Sequence, residues 1–267
     1  MPTVVIIPKR ATAEPLVLRA QAALEIGLAS VATRDLRRAA QLPDTDKDPY
    51  VRQARQELAK LGSQAAEEMA GVKATVEKIR AKPLVDCKAG KKPGTFCDHD
   101  VAEQVAKLKC LSRIYSRFEE VRDVEKLLAK LRPLPGYKDG NRQAMAMSHI
   151  DGAKILILEG KYWPAFRALR QTKAKSKDDC VKQLTDAEMA YLKTDPKVSG
   201  IIKMGLQAEA VEKQRVEVQM QCLEQARSKS QSDPAAARKL YQKLIDEHPL
   251  SGAAKLAKEE LAQMSRR

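Results

Sequence analysis

Apolar residues recur along this chain at intervals of three and four, the spacing that lines one face of an α-helix. Strict apolar and polar alternation is confined to the short "TVVII" at Thr3–Ile7, read as an edge strand or as the tail of an upstream domain. From residue 13 to 27, Leu16, Leu18, Ala22, Ala23 and Ile26 fall largely on one face and predict a first helix. A second spans 29–42 and ends at Pro43 and "DTDKDP", because proline cannot continue a helix and aspartates favour turns. Asp48 as N-cap and Pro49 as first helical residue predict a third, running to Ile79 or beyond with a break near Gly62. Further helices are expected at 99–119, 121–132, 141–159, 164–172 and 178–193, with "RPLPGYKDGN" and "TDPK" as turns. The last long one covers 198–226, its face carrying Ile201, Ile202, Leu206, Val211, Val218 and Leu223, a stripe that suits core or helix pairing better than a cofactor.

Residues 82–98, "KPLVDCKAGKKPGTFCD", form the longest stretch without periodicity. They are the expected boundary between N-terminal hairpins at 1–81 and a helical repeat domain at 99–267. Three segments follow one plan of helix, proline and polar turn, helix: 28–61, 122–147 and 233–264. Each such hairpin has one apolar face and needs a neighbour to cover it. In the C-terminal unit Ala237, Tyr241 and Pro249 stand at the spacing of a small residue, an aromatic and a terminating proline, and "GKYWPA" supplies Gly160, Tyr162 and Ala165 with Ala153 before them. On these residues the chain resembles the tetratricopeptide family in its degenerate bacterial form. It departs from that pattern at Thr172, where alanine is usual, at Lys177, where proline is usual, and in lacking a first-helix tryptophan. The resemblance implies antiparallel helical hairpins, stacked as a solenoid or an irregular array, that bind other proteins through a groove and bring no catalytic residues with them. The fold class expected is therefore all-α.

Composition agrees. Of 267 residues, 43% are hydrophobic but only 4% aromatic, so the core must be built from Ala, Leu, Val and Ile in closely spaced helices. Lysine and arginine total 49 against 35 acids, a formal charge of +14, which attracts acidic proteins, nucleic acid or anionic surfaces. The cations are spread among acids at helical spacing; the nearest approach to a cluster is Lys173, Lys175 and Lys177. No run of apolar residues is long enough to span a membrane. Read literally the chain is cytoplasmic, and periplasmic or envelope-associated if a signal segment has been removed.

Five cysteines are an odd number in a chain too large to need staples. Cys87 and Cys97 bracket a flexible Gly/Pro loop that can bring the two sulfurs together, and free thiols are the equal alternative. Cys87, Cys97, His99 and Cys110 are zinc-ligand types at spacings that match no familiar finger. There is no phosphate-binding glycine loop, no nucleophile elbow and no H-E-x-x-H. His149 inside a helix and His248 at a helix end read as structural, and the neighbouring pairs Glu119/Glu120 and Asp178/Asp179 diverge on a helix instead of flanking a substrate. No cofactor and no enzymatic activity are expected. The expected function is a non-catalytic scaffold or adaptor with a protein partner; a nucleic-acid or polyanion binder and an accessory envelope or redox-associated protein are the alternatives. "GKYWPAFRAL" holds the only tryptophan, and Trp163, Tyr162, Arg167 and Arg170 are the candidate partner-binding residues, since exposed aromatics and arginines concentrate binding energy.

Overall fold

The computed structural model describes residues 12–42, 48–82, 84–85, 95–116 and 118–264. Thr3–Ile7 and Cys87 lie outside them. Among the described residues the chain is all-α, with helices α1 (Ala13–Glu25), α2 (Ala29–Ala40), α3 (Pro49–Arg80), α4 (Asp98–Ile114), α5 (Val124–Leu131), α6 (Tyr137–Leu158), α7 (Tyr162–Lys175), α8 (Asp179–Thr194), α9 (Pro196–Ser232), α10 (Pro234–Glu247) and α11 (Gly252–Met264). The helices pack chiefly on their neighbours in sequence, α1 on α2, α2 on α3, α6 on α7, α7 on α8 and α10 on α11. Among the pairings that skip an element, the most extensive brings α4 against α6.

The polypeptide divides into two compact units, Met1–Ser199 and Gly200–Arg267, and the division falls inside α9. The expected boundary at 82–98 is not where the contacts thin out. Helices from both sides of that segment share one core, in which Leu16, Leu28, Leu36 and Ile79 meet Leu108 and Leu131. The segment connects packed neighbours: Leu84 and Phe96 bridge, and Val85 N–H donates to the Phe96 carbonyl at 2.8 Å. Lack of periodicity carries no information about what such a segment separates.

Local chemistry sets the helix ends. Asp48 Oδ1 accepts from Tyr50 N–H at 2.8 Å, with Pro49 at the first helical position. The cap satisfies one of the donors that α3 would otherwise leave open. The Tyr50 hydroxyl donates to Glu14 at 3.0 Å, fixing the start of α3 beside α1. Helix α3 runs through Gly62 without the expected break. A side chain there would meet the Phe118 ring at 3.3 Å, so the glycine makes room for an aromatic that also carries the Arg37 guanidinium 4.5 Å from its centroid. The α1–α2 and α6–α7 turns share one geometry: Gly27 and Gly160 adopt φ of 71° and 72°, with Leu28 N–H reaching the Ala23 carbonyl and Lys161 N–H the Leu156 carbonyl. Glycine takes this left-handed conformation at no steric cost. In the first unit the buried Asp35 on α2 is paired, meeting Arg34 at 3.2 Å and Arg19 of α1 at 3.7 Å. Its charge therefore enters the core with compensation.

Helices α4 and α6 cross at backbone contact. A Cβ at Gly140 would stand 2.4 Å from the Ala102 carbonyl oxygen and 2.6 Å from Val105 Cβ, and one at Gly136 would stand 2.0 Å from the Asp98 carbonyl oxygen. Helix α6 therefore begins at Tyr137, inside the expected turn "RPLPGYKDGN": Gly140 is not a turn residue but the flat side of a helix pressed against α4.

In the second unit Leu223 and Ala226 of α9 pack with Ala237, Tyr241, Leu244, Ala253 and Ala257. Asp233 Oδ1 caps α10 by accepting from Ala236 N–H at 3.0 Å, and Ser251 Oγ accepts from Ala254 N–H at 3.0 Å at the start of α11. Three helices are tied at Glu260, which accepts from Arg227 Nε at 2.8 Å and from the Tyr241 hydroxyl at 2.6 Å. Burial and that carboxylate together push the Tyr241 phenol up to about 12. The expected stripe of α9 is only partly a packed face: Ile202 and Leu223 are buried, while Ile201, Leu206, Val211 and Val218 are exposed.

Gly140→Ala tests the crossing. In an exposed helix the change would gain up to ~1 kcal/mol. Here the new methyl meets a backbone oxygen that cannot rotate away, so the substitution is expected to cost about 1–3 kcal/mol net and lower the thermal midpoint by several degrees, measured by far-ultraviolet circular dichroism.

Candidate functional site

The α4–α6 contact leaves one side of α6 uncovered, and α7 folds back along that side after the Gly160 turn. Small residues form part of the lining, Ala102 on α4, Ala146, Gly152 and Ala153 on α6 and Ala168 on α7, beside larger ones such as Met145, His149, Leu156 and Gln171. Helices held apart by their other faces and lined here partly by alanine and glycine cannot close the space between them. The result is a groove of about 1030 Å³ that stays open to solvent, with Ser176–Asp178 at one end. Enclosed small-molecule pockets run to roughly 300–1,000 Å³. An open trough of this size suits an extended or helical segment better than an engulfed metabolite.

Polar groups give the groove its sign. Asp178 caps α8 through one oxygen, which accepts from Cys180 N–H at 2.9 Å and Val181 N–H at 3.3 Å. Its other oxygen accepts from Gln143 of α6. Asp139 is paired with Arg142 one turn on, and Asp98 Oδ1 accepts from the His99 backbone N–H at 2.9 Å. The acids are thus engaged in holding the walls. Of the basic cluster seen in the sequence, Lys173 is taken up by Asp186 of α8 at 2.7 Å, whereas Lys175 and Lys177 line the groove and make no ion pair among the described residues. Helix α7 as a whole carries Arg167, Arg170, Lys173 and Lys175 and no acid. Met145, 65% exposed at the rim, adds a soft apolar contact.

Ser148, Thr172, Ser176, His99 and His149 also face the groove. Thr172 Oγ1 donates to the Ala168 carbonyl at 3.0 Å, and Ser176 Oγ accepts from Asp178 N–H at 3.1 Å. Among the described residues no hydroxyl here is hydrogen-bonded to a histidine ring, the contact by which a base would activate it. No group of three or more His, Cys, Asp or Glu among them is placed to hold a metal ion. Elsewhere in the unit Arg113 of α4 and Asp151 of α6 pair at 2.6 Å. Burial pushes the Asp151 carboxyl up, against the pull of Arg113 and Lys154, and burial likewise raises the neighbouring Cys110 thiol. Lys154 continues the chain to Glu188 of α8 at 2.7 Å. These ion pairs sit on the packed side of α6 and fix the rotation that turns Gly152 and Ala153 toward the groove.

The candidate residues of "GKYWPAFRAL" do not line it. Trp163 stacks on Phe166, with ring centroids 6.2 Å apart and planes at 24°, and Lys193 of α8 stands 5.3 Å from the Phe166 centroid. Tyr162 and Trp163 are half-buried; Arg167 is exposed and Arg170 lies at the surface of the same helix. Trp163, Arg167 and Arg170 share a stripe of α7 at helical spacing, away from the Ala168, Thr172 and Lys175 face. The tryptophan thus serves partly as cover for Phe166. Cys97 is buried immediately before α4, and its N–H donates to Asp100 at 2.7 Å; the Cys87–Cys97 pairing stays an expectation, because Cys87 is outside the described residues. Cys110, Cys180 and Cys222 are free. Sequence reasoning missed the groove itself, whose signal was alanine and glycine at positions 146, 152, 153 and 168 where a helix in a full core carries larger side chains.

Among the described residues no helix is long and apolar enough to cross a membrane. No protein-family model, curated protein or solved structure matches the chain.

Gly152 contrasts with Gly140 on the same helix. A Cβ there meets nothing within 4 Å. Gly152→Ala is therefore expected to raise stability by roughly 0.5–1 kcal/mol, the ordinary helix gain, read as an upward shift in the thermal midpoint.

Proposed function

We propose that the chain is a non-catalytic helical scaffold or adaptor of tetratricopeptide-like kind whose α4–α6–α7 groove takes an acidic segment of a protein partner. The observation that carries the reading is the open, alanine-floored groove of about 1030 Å³ with Lys175 and Lys177 unpaired at its wall. A helical or extended peptide supplies the rod shape that fits such a trough, and carboxylates on it meet the two ammonium groups without first displacing a resident acid. The neighbouring acids are occupied as caps and ion pairs, which leaves them unsuited to general acid or base work. The groove residues supply recognition by shape, by amide hydrogen bonds from Gln143 and Gln171, and by charge.

A polyanion such as single-stranded nucleic acid is the second reading, favoured by the four cations and absent acids of α7 and by the +14 formal charge of the chain. The two separate on one experiment. Fluorescence anisotropy of a labelled glutamate-rich peptide, a lysine-rich peptide of equal length and a single-stranded oligonucleotide is compared at moderate salt. The glutamate-rich peptide is expected to bind, and the double variant Lys175→Glu/Lys177→Glu to weaken it about tenfold or more, as expected of charges that face the ligand. Gly152→Phe, which fills the trough from a position with free space, is expected to abolish it while the protein melts normally. Failure of the peptide to bind overturns the proposal; oligonucleotide binding that survives Gly152→Phe supports the second reading.

A further inference from the structure

We infer that α9 pairs with the same helix of a second copy of this chain, the two running antiparallel along a stripe that the monomer leaves bare. Residues 201, 204, 208, 211, 215 and 218 follow one another at alternating intervals of three and four, which is the seam of a two-stranded coiled coil. They are Ile201, Met204, Ala208, Val211, Arg215 and Val218, and the next step, Cys222, runs into the packed core of the C-terminal hairpin. Nothing in their own unit covers them: Met204 is 68% exposed, Val211 66%, Val218 57% and Ile201 43%. A solvated helix face has no reason to keep apolar residues at this period over roughly 26 Å.

Charge selects the occupant. The chain carries +14, yet between Gly200 and Cys222 Lys203, Lys213 and Arg215 are balanced by Glu209, Glu212 and Glu217. This is a stretch where two copies can approach without the repulsion they meet elsewhere. Orientation follows from Arg215. In a parallel, in-register pair it would face its own copy across the seam, with two guanidinium groups at one buried level. Reversing one helix places Arg215 opposite Met204, Ala208 opposite Val211 and Ile201 opposite Val218, so every seam residue finds a partner and large meets small at the centre. Glu212, 3.2 Å from Arg215 on the same helix, neutralises the cation where it leaves the seam. In the same register Gln207 lies beside Gln214 of the second copy, two amides able to donate and accept across the flank. The spacing of the stripe, three, four, three, four, three, is the same from both ends, so a two-fold contact can be made along it.

Sedimentation equilibrium of the full chain from micromolar to several hundred micromolar tests this. A monomer–dimer equilibrium is expected, with the dimer favoured as salt rises and screens the overall charge. Val211→Lys, at an exposed position, is expected to keep the thermal midpoint of the dilute protein and remain monomeric at every concentration, whereas Arg215→Leu is expected to tighten the dimer at least tenfold. For orientation, Ala208→Cys and Val211→Cys chains are mixed under mild oxidation and the cross-linked peptides mapped by mass spectrometry. A 208–211 link between chains is expected. A wild-type chain that stays monomeric throughout, a Val211→Lys chain that dimerises as the wild type does, or a Cys222–Cys222 link, which only the parallel pair allows, overturns the inference.

Discussion

The backbone of α6 approaches the backbone of α4 more closely than a methyl group permits, and the first unit is arranged around that contact. Gly136 and Gly140 meet the Asp98 and Ala102 carbonyls at distances where a Cβ would collide. Two helices that touch this closely at one end are fixed in register, since no side chain remains between them to yield. Val105, Leu108 and Leu111 are then carried into the shared core on one side of α4, while Asp98, His99 and Ala102 are brought to the edge of the groove. The groove is the geometrical consequence of a tight crossing beside a loose one: α4 presses on α6 through glycine, and α7 is held off by its own packed face of Ala165, Phe166 and Leu169.

Hydrogen bonds and ion pairs then hold the loose side open. Asp178 both caps α8 and accepts from Gln143 of α6, so one carboxylate joins the end of the groove to its floor. Arg113–Asp151 and Lys154–Glu188 act on the opposite side of α6, tying it to α4 and α8. Half-buried pairs of this kind contribute modestly to net stability but penalise rotation of the helix, because a turn of α6 would leave charges desolvated and unpaired. Asp178 and Asp139 are engaged as a cap and an ion pair, while Lys175 and Lys177 line the groove without an ion pair among the described residues.

Much of the fold was legible in the sequence because helices announce themselves locally. Of the face expected for the first helix, Leu16, Ala22 and Ala23 are buried and Leu18 is exposed, and Asp48–Pro49, Asp233–Pro234 and Ser251 mark starts that the structure realises as caps. What stayed hidden is what depends on a second element. A glycine inside a helix reads as a turn or a break, so the sequence puts Gly140 in a turn and an interruption near Gly62, whereas each makes room for a neighbour distant in sequence. The face of α9 was visible as a period, but a period does not say whether anything lies against it; Ile202 and Leu223 are covered, and Val211 and Val218 are not. The groove was invisible for the same reason, since small residues signal a cavity only when the surrounding helices are known. The single tryptophan, Trp163, stacks on Phe166, a packing role that its rarity in the sequence does not disclose.

The most direct measurement of the central claim uses the methionines as reporters. Met145 stands at the groove and Met204 on the bare stripe of α9, both largely exposed and each in a different unit. With methyl-labelled methionine, addition of a glutamate-rich peptide to dilute protein should move the Met145 methyl resonance in a saturable way and leave Met204 where it was. A Met145 signal that stays fixed through saturating peptide, or that moves no more than Met204, contradicts the account of the groove as the binding site.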